Sequence, residues 1–152
     1  MTTPAPRVTV ALQSDKRTAD YAELAARVES HGFDGLSVYA DLGYQPPLPC
    51  LVTAAAHTSR LTLGPACLNP YLTHPVEIAG QAATLDEASG GRSYLGIARG
   101  SRLDRAGVTQ SRPIAALEDS VAIVRRLLAG DDSGYDGTVF SLPAGTALHY
   151  RP

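Results

Sequence analysis

A chain of 152 residues, 44% hydrophobic and 18% charged, has room for one domain with a real core and is too apolar to be a disordered segment. A net charge of −2, with no run of Lys or Arg longer than two, gives no electrostatic case for binding nucleic acid or an anionic membrane. No apolar stretch approaches the ~20 residues of a membrane span and the first residues do not read as a signal peptide, so a cytoplasmic protein is expected.

Val8 to Gln13 is a short apolar run with β-branched residues, which reads as a first buried strand. Thr18 is placed to cap a helix over 19–31, with Tyr21, Leu24 and Val28 on one stripe and Gly32 as its stop. Gly35 to Tyr39 reads as a second strand that ends at Asp41. Pro46, Pro47 and Pro49 fill a loop and helix start before a helix over 51–58. A third strand spans Leu61 to Cys67, and a third helix opens at Pro75 and runs to about Ala88. Tyr94 to Ala98 reads as a fourth strand.

After a polar segment rich in Arg and Gly, Ser111 is placed to cap a fourth helix. Ile114, Leu117, Val121, Val124 and Leu128 follow at alternating spacings of 3 and 4, the mark of one buried face, and Gly130 closes the helix. Residues 131–152 read as a turn, a hairpin around Tyr135-Asp136-Gly137 and an extended tail. The acidic run 131–137 lacks the ligand pattern of a calcium loop, and no metal site is expected. Cys50 and Cys67 form no CxxC pair and fit a reducing compartment.

Alternation of strand and helix four times implies a parallel sheet, either doubly wound or half of an eight-stranded barrel. No GxGxxG follows the first strand, which argues against the dinucleotide-binding version. Two strand-to-helix junctions are rich in small and turn-forming residues, where an α/β barrel keeps its active site. They are Gly64-Pro65-Ala66-Cys67-Leu68-Asn69-Pro70-Tyr71-Leu72-Thr73-His74-Pro75 and Gly96-Ile97-Ala98-Arg99-Gly100. From the residues alone, Cys67 reads as a small buried hydrophobe, Asn69 as an Asx turn and His74 as a helix cap. A nucleophilic pair of Cys67 with His74 or His57 has nothing in the sequence to orient its base.

The first of these segments closely resembles the third-strand region of luciferase-like oxidoreductases, especially the methylenetetrahydromethanopterin reductase branch. Thr84-Leu85-Asp86-Glu87-Ala88-Ser89-Gly90-Gly91-Arg92 followed by Leu95-Gly96-Ile97-Ala98-Arg99-Gly100 resembles the same family's fourth-strand signature, and Gly32-Phe33-Asp34 through Tyr39-Ala40-Asp41 resembles its second strand. The resemblance implies four βα units of a TIM-type (β/α)8 barrel, that is, a half-barrel with a parallel sheet and a single domain over residues 1–152. It implies coenzyme F420, or alternatively FMN, at the C-terminal ends of the strands. It further implies a bulge with a non-prolyl cis peptide at Ala66-Cys67 that backs the cofactor ring, with Asn69, Gly96, Arg99 and Gly100 also at the cofactor. Asp41 is the residue to which the resemblance gives a catalytic role, although the histidine that often follows it in the family is Leu42 here. Asp41 otherwise reads as a capping carboxylate, and Arg99 as a solvent-facing arginine.

Half a barrel leaves two unpaired sheet edges and an apolar inner face. The expected partner is therefore a second copy or a separate C-terminal half-barrel, with a small-molecule substrate. Residues 130–152 are expected to lead toward a fifth strand that the chain lacks. Weak cofactor binding is expected of the chain alone. The function expected is a flavin- or F420-dependent oxidoreductase; the alternative is a non-catalytic half-barrel that serves as an assembly or regulatory partner.

Overall fold

Strands β1 (Thr9–Leu12), β2 (Gly35–Tyr39) and β3 (Thr62–Ala66) form one parallel sheet in that order in the computed structural model, which describes residues 6–150. The register pairs Thr9 with Gly35 and Gly35 with Thr62. Successive side chains point to opposite faces of a strand, so Leu36, Val38 and Leu63 fall on one face and Gly35, Ser37 and Gly64 on the other. The first face is fully buried under α1 (Asp20–Ser30) and α2 (Pro47–Ala56), against Tyr21, Ala25, Cys50 and Leu51. Each such Leu or Val contributes roughly 1.5–3 kcal/mol of burial, an upper estimate. The second face carries the small residues Gly35, Ser37 and Gly64.

A carboxylate fastens this unit. Glu29, in the last turn of α1, accepts hydrogen bonds from the backbone N–H groups of Ser59, Arg60 and Leu61 at 3.0, 2.6 and 3.1 Å, which fixes the entry to β3. Burial alone would push the Glu29 carboxyl up, but these N–H donors and the Arg60 charge outweigh it and hold it below its ordinary value.

Several local expectations are corrected. The α1 helix takes no cap from Thr18, whose hydroxyl instead donates to the side chain of Gln45 at 3.1 Å. The α2 helix starts at Pro47, earlier than the three prolines suggested. Proline in a first turn removes only N–H groups that have no helical partner. Ser111 does not cap α4 (Pro113–Ala129) either; its carbonyl accepts the Tyr71 hydroxyl at 2.7 Å, and Arg112, in left-handed geometry, precedes the helix.

The fourth strand is reduced to two parallel bridges, Leu63 with Ser93 and Leu68 with Ile97. Between the bridges β3 advances five residues while its neighbour advances four, so the β3 side carries one extra residue, the signature of a bulge. Pro65 lies inside that stretch and has no N–H to donate, and the Ala66-Cys67 peptide is cis. A continuous ladder cannot form across it. Below the bulge the ring of Tyr94 covers Gly64, where an added Cβ would lie 2.6 Å from ring carbons, and the Tyr94 hydroxyl bonds that of Ser37.

The α3 helix (Pro75–Ser89) begins at His74, whose Nδ1 accepts the Val76 N–H at 3.3 Å, and stops at Gly90 in left-handed geometry. Much of the Asp86 to Ser93 motif is structural: Ser93 donates to Asp86 at 2.6 Å, and the Arg92 guanidinium binds the carbonyls of Leu61 and Thr58 at 2.8 and 3.0 Å. A second core joins Ile78 and Ala79 of α3 to Ile123, Val124 and Leu127 of α4, closed by Leu68 and Leu142. Here too a carboxylate fastens the chain. Asp119 accepts from the N–H groups of Val139 and Phe140 and from the Tyr135 hydroxyl at 2.6, 3.1 and 3.0 Å. The expected hairpin is confined to one antiparallel bridge, Tyr135 with Leu142.

The face expected to bury α4 does not. Of its five residues only Val124 is buried, and Ile114, Val121 and Leu128 are 73%, 41% and 47% exposed. Ala116, Ser120, Ile123, Val124 and Leu127 face the core in their place.

Candidate functional site

At the C-terminal ends of β2 and β3, beside the segment after Ile97, lies a cavity of about 330 Å³. Its wall is made by Ala40, Asp41 and Leu42 from the end of β2, by Ala66, Cys67 and Asn69 from the bulge and the loop after it, and by Ala98 to Ser101 and Leu103. Six of the residues singled out from the sequence, Asp41, Ala66, Cys67, Asn69, Arg99 and Gly100, therefore line one space. They lie up to 59 positions apart in the chain, and the parallel register brings them to one end of the sheet. Gly96 is the exception. It packs behind the bulge, where an added Cβ would lie 2.6 Å from the Pro65 carbonyl and 2.9 Å from the Cys67 sulfur.

The wall suits a flat ring. Its surface at the bulge is backbone and small side chains, which lets a planar group approach closely. Gly100 has φ of +78° and its absent Cβ would stand 3.1 Å from Asn69, so glycine is required both for the turn and for the contact. A volume near 330 Å³ reaches the lower end of ordinary ligand cavities, about 300–1,000 Å³.

Polar groups are few and placed at the rim. Asn69 is buried and its Oδ1 accepts the Leu72 N–H at 3.0 Å, an Asx turn that also aims its amide nitrogen away from that bond. Asp41 is the only carboxylate on the cavity wall and is exposed to solvent. Among the described residues neither His57 nor His74 bonds a cysteine: His57 Nδ1 meets the Thr53 carbonyl at 2.9 Å, and His74 is occupied as a cap. Both cysteines are free thiols, and burial pushes that of Cys50 up, which leaves it inert in the core. A second cavity of about 270 Å³ shares Ala40, Asp41, Leu42 and Asn69 with the first and extends to Tyr44, Leu72 and Gln81.

One feature of the loop that follows the cavity wall was not read from the sequence. The loop from Arg99 to Arg112 holds Arg99, Arg102, Arg105 and Arg112 against a single acid, Asp104. All four are exposed, and among the described residues none of their guanidinium groups has a hydrogen bond or ion pair. Arg7, Arg17, Arg60, Arg92 and Arg126, by contrast, each hold a partner. Of the four only Arg99 lines the cavity; Arg102, Arg105 and Arg112 follow in the same exposed loop.

Residues 2–152 match the luciferase-like monooxygenase family. The chain is 33% identical over 134 residues to the 5,10-methylenetetrahydromethanopterin reductase of Archaeoglobus fulgidus, covering 87% of this chain and 39% of that protein. Its fold superimposes on the coenzyme F420-dependent tetrahydromethanopterin reductase of Methanopyrus kandleri with a TM-score of 0.86 at 25% identity, over 93% of this chain and 46% of that one. The FMN-bound oxygenating constituent of 3,6-diketocamphane monooxygenase from Pseudomonas putida shares the fold, with a TM-score of 0.78 at 15% identity over 92% of this chain and 44% of that one. The chain thus spans under half the length of these relatives, which are TIM-type barrels. It is a member of the luciferase-like monooxygenase family, with the fold of the N-terminal half of the barrel.

Proposed function

We propose that the chain supplies the ring-binding half of an F420-dependent oxidoreductase site, with FMN as the alternative cofactor, and that a second half-barrel completes it. The observation that carries this reading is the convergence of Asp41, Ala66, Cys67, Asn69, Arg99 and Gly100 on one cavity whose floor is the bulge at the cis Ala66-Cys67 peptide. Bound there, the cofactor would supply hydride transfer to or from a small-molecule substrate. The chain's own residues do the rest. The bulge offers backbone to one ring face, and the Asn69 amide is free to donate to a ring edge. Arg99, unpaired on the cavity wall, attracts anionic groups, in bidentate fashion where these are phosphate or carboxylate. Asp41 is the group placed to exchange a proton with a ligand in the cavity.

F420 is preferred because the sequence relatives include F420-dependent dehydrogenases and the reductase that shares the fold is F420-dependent. Two free thiols suit a reducing compartment, the cytoplasm. No helix among the described residues is long and apolar enough to cross a membrane. The phosphate grip of barrels generally comes from the loops after the seventh and eighth strands, so the chain alone should bind poorly. The test is a titration of the purified chain with F420 and with FMN, monitored by ring fluorescence, alone and with a separately expressed C-terminal half from the family. The reading expects binding that needs both halves and weakens in Asn69→Ala and Arg99→Ala. Absence of binding with both halves present would leave the chain a non-catalytic assembly half-barrel.

A further inference from the structure

The α4 helix presents to solvent a stripe that its own fold does not cover. Ile114, Val121 and Leu128 recur every seven residues at 73%, 41% and 47% exposure, with Leu117 half-buried among them. A repeat of seven is the pattern by which one helix packs along another in a left-handed pair. The stripe is roughly 21 Å long from Ile114 to Leu128 at ~1.5 Å per residue, long enough for a helix partner.

The sequence of the stripe says what that partner is. A two-fold axis through Val121, the midpoint of α4, places Ile114, seven residues before it, opposite Leu128, seven residues after it, on the other helix. Val121 then faces itself. The same operation brings Glu118, three residues before the axis, beside Arg125, four residues after it, and does so twice. Glu118 and Arg125 are exposed, and among the described residues neither side chain has a hydrogen bond or ion pair. Arg125 is the only such arginine outside the loop from Arg99 to Arg112 among the described residues. Apolar residues thus meet apolar residues and each acid meets a base, the self-complementarity that an isologous interface requires.

We infer that the chain pairs with a second copy of itself through antiparallel α4 helices about an axis at Val121. This interface lies on the helix layer and leaves both edges of the sheet open. A single helix pair falls among the smaller protein interfaces, which makes the dimer weak and concentration-dependent.

The test is sedimentation equilibrium of the purified 152-residue chain across the micromolar range, with circular dichroism to confirm the fold of each variant. Wild type should dimerise reversibly. Val121→Glu places two like charges on the axis and should weaken the dimer by more than ~10-fold. Glu118→Arg and Arg125→Glu should each weaken it by roughly 10-fold, and the double swap should restore it to within about 3-fold of wild type. A monomer at all concentrations, a dimer indifferent to Val121→Glu, or a double swap that fails to restore pairing would overturn the inference. A dimer indifferent to Val121→Glu would indicate pairing through the sheet edges instead. The charge swaps also keep the test decisive if Val121→Glu fails to fold.

Discussion

The three-stranded sheet with α1 and α2, and the fourth βα unit with the segment after it, are fastened by the same device to different ends. In each, a helix carboxylate gathers backbone N–H groups of a later segment: Glu29 takes those of Ser59 to Leu61, and Asp119 takes those of Val139 and Phe140. In the first region the fastened segment continues into a regular ladder. In the second the ladder is broken by the bulge in β3, and only two bridges remain. The candidate site sits at this seam. Regular pairing holds the residues of β2 and β3 in register, while the break exposes backbone that a ring can lie against.

Substitutions in the two cores should break the comparison most severely. Leu63→Ala and Ile123→Ala each remove a fully buried side chain and should cost ~2–5 kcal/mol in chemical denaturation. Hydrogen exchange should show Leu63→Ala loosening both regions, because β3 borders both, and Ile123→Ala loosening mainly α4 and the Tyr135–Leu142 segment tied across it. Equal loosening everywhere would mean the two regions unfold as one unit.

Asp119→Ala orphans two backbone donors and the Tyr135 hydroxyl, for a loss of about 1.5–3 kcal/mol. Burial would raise the Asp119 carboxyl, but the N–H groups of Val139 and Phe140 prevail and hold it below its ordinary value. A depressed folded-state pKa stabilises above the ordinary carboxylate value, near ~4, and that stability is lost as pH falls through the depressed value. Stability measured against pH should therefore drop below about pH 4 in wild type and drop less steeply in Asp119→Asn and Glu29→Gln. An unchanged slope in either variant would show that its carboxylate does not drive the acid loss.

Gly64→Ala tests the seam itself. The new Cβ would meet the Tyr94 ring at 2.6 Å and its carbonyl at 2.5 Å, an overpacking cost of roughly 1–3 kcal/mol. The smallest effect belongs to Ser111→Ala, which should stay within about 0.5 kcal/mol in thermal melts because the side chain caps nothing. A loss near ~1 kcal/mol, the usual worth of a cap, would show that Ser111 caps α4 in solution.

Much of this was legible in the chain because it is local. Gly32 and Gly130 stop their helices where the sequence placed them, and β2 and α3 fall within a residue of expectation. The cavity residues were legible through resemblance, and the cis bond at Ala66-Cys67 with them. Thr18 and Ser111 misled because a hydroxyl before a helix is a cap only if no tertiary partner competes for it or for its backbone. Gln45 takes the first, and Tyr71 takes the carbonyl of the second.

The α4 helix marks the boundary most sharply. Its sequence has apolar residues around most of its circumference and contains two stripes at helical spacing, one through Ile114 and Val121 and one through Ala116 and Ile123. Periodicity determines that the segment is a helix, since both stripes share one period. It cannot choose between them, because that choice depends on Ile78 and Ala79 of α3 and on the chain that Asp119 ties across the helix. The sequence by itself thus determined the order and kind of the elements. Only the tertiary structure decided which face of α4 is core, that Asp41, Asn69 and Arg99 line one cavity, and where the fourth strand gives way, because each depends on contacts between residues distant in the chain.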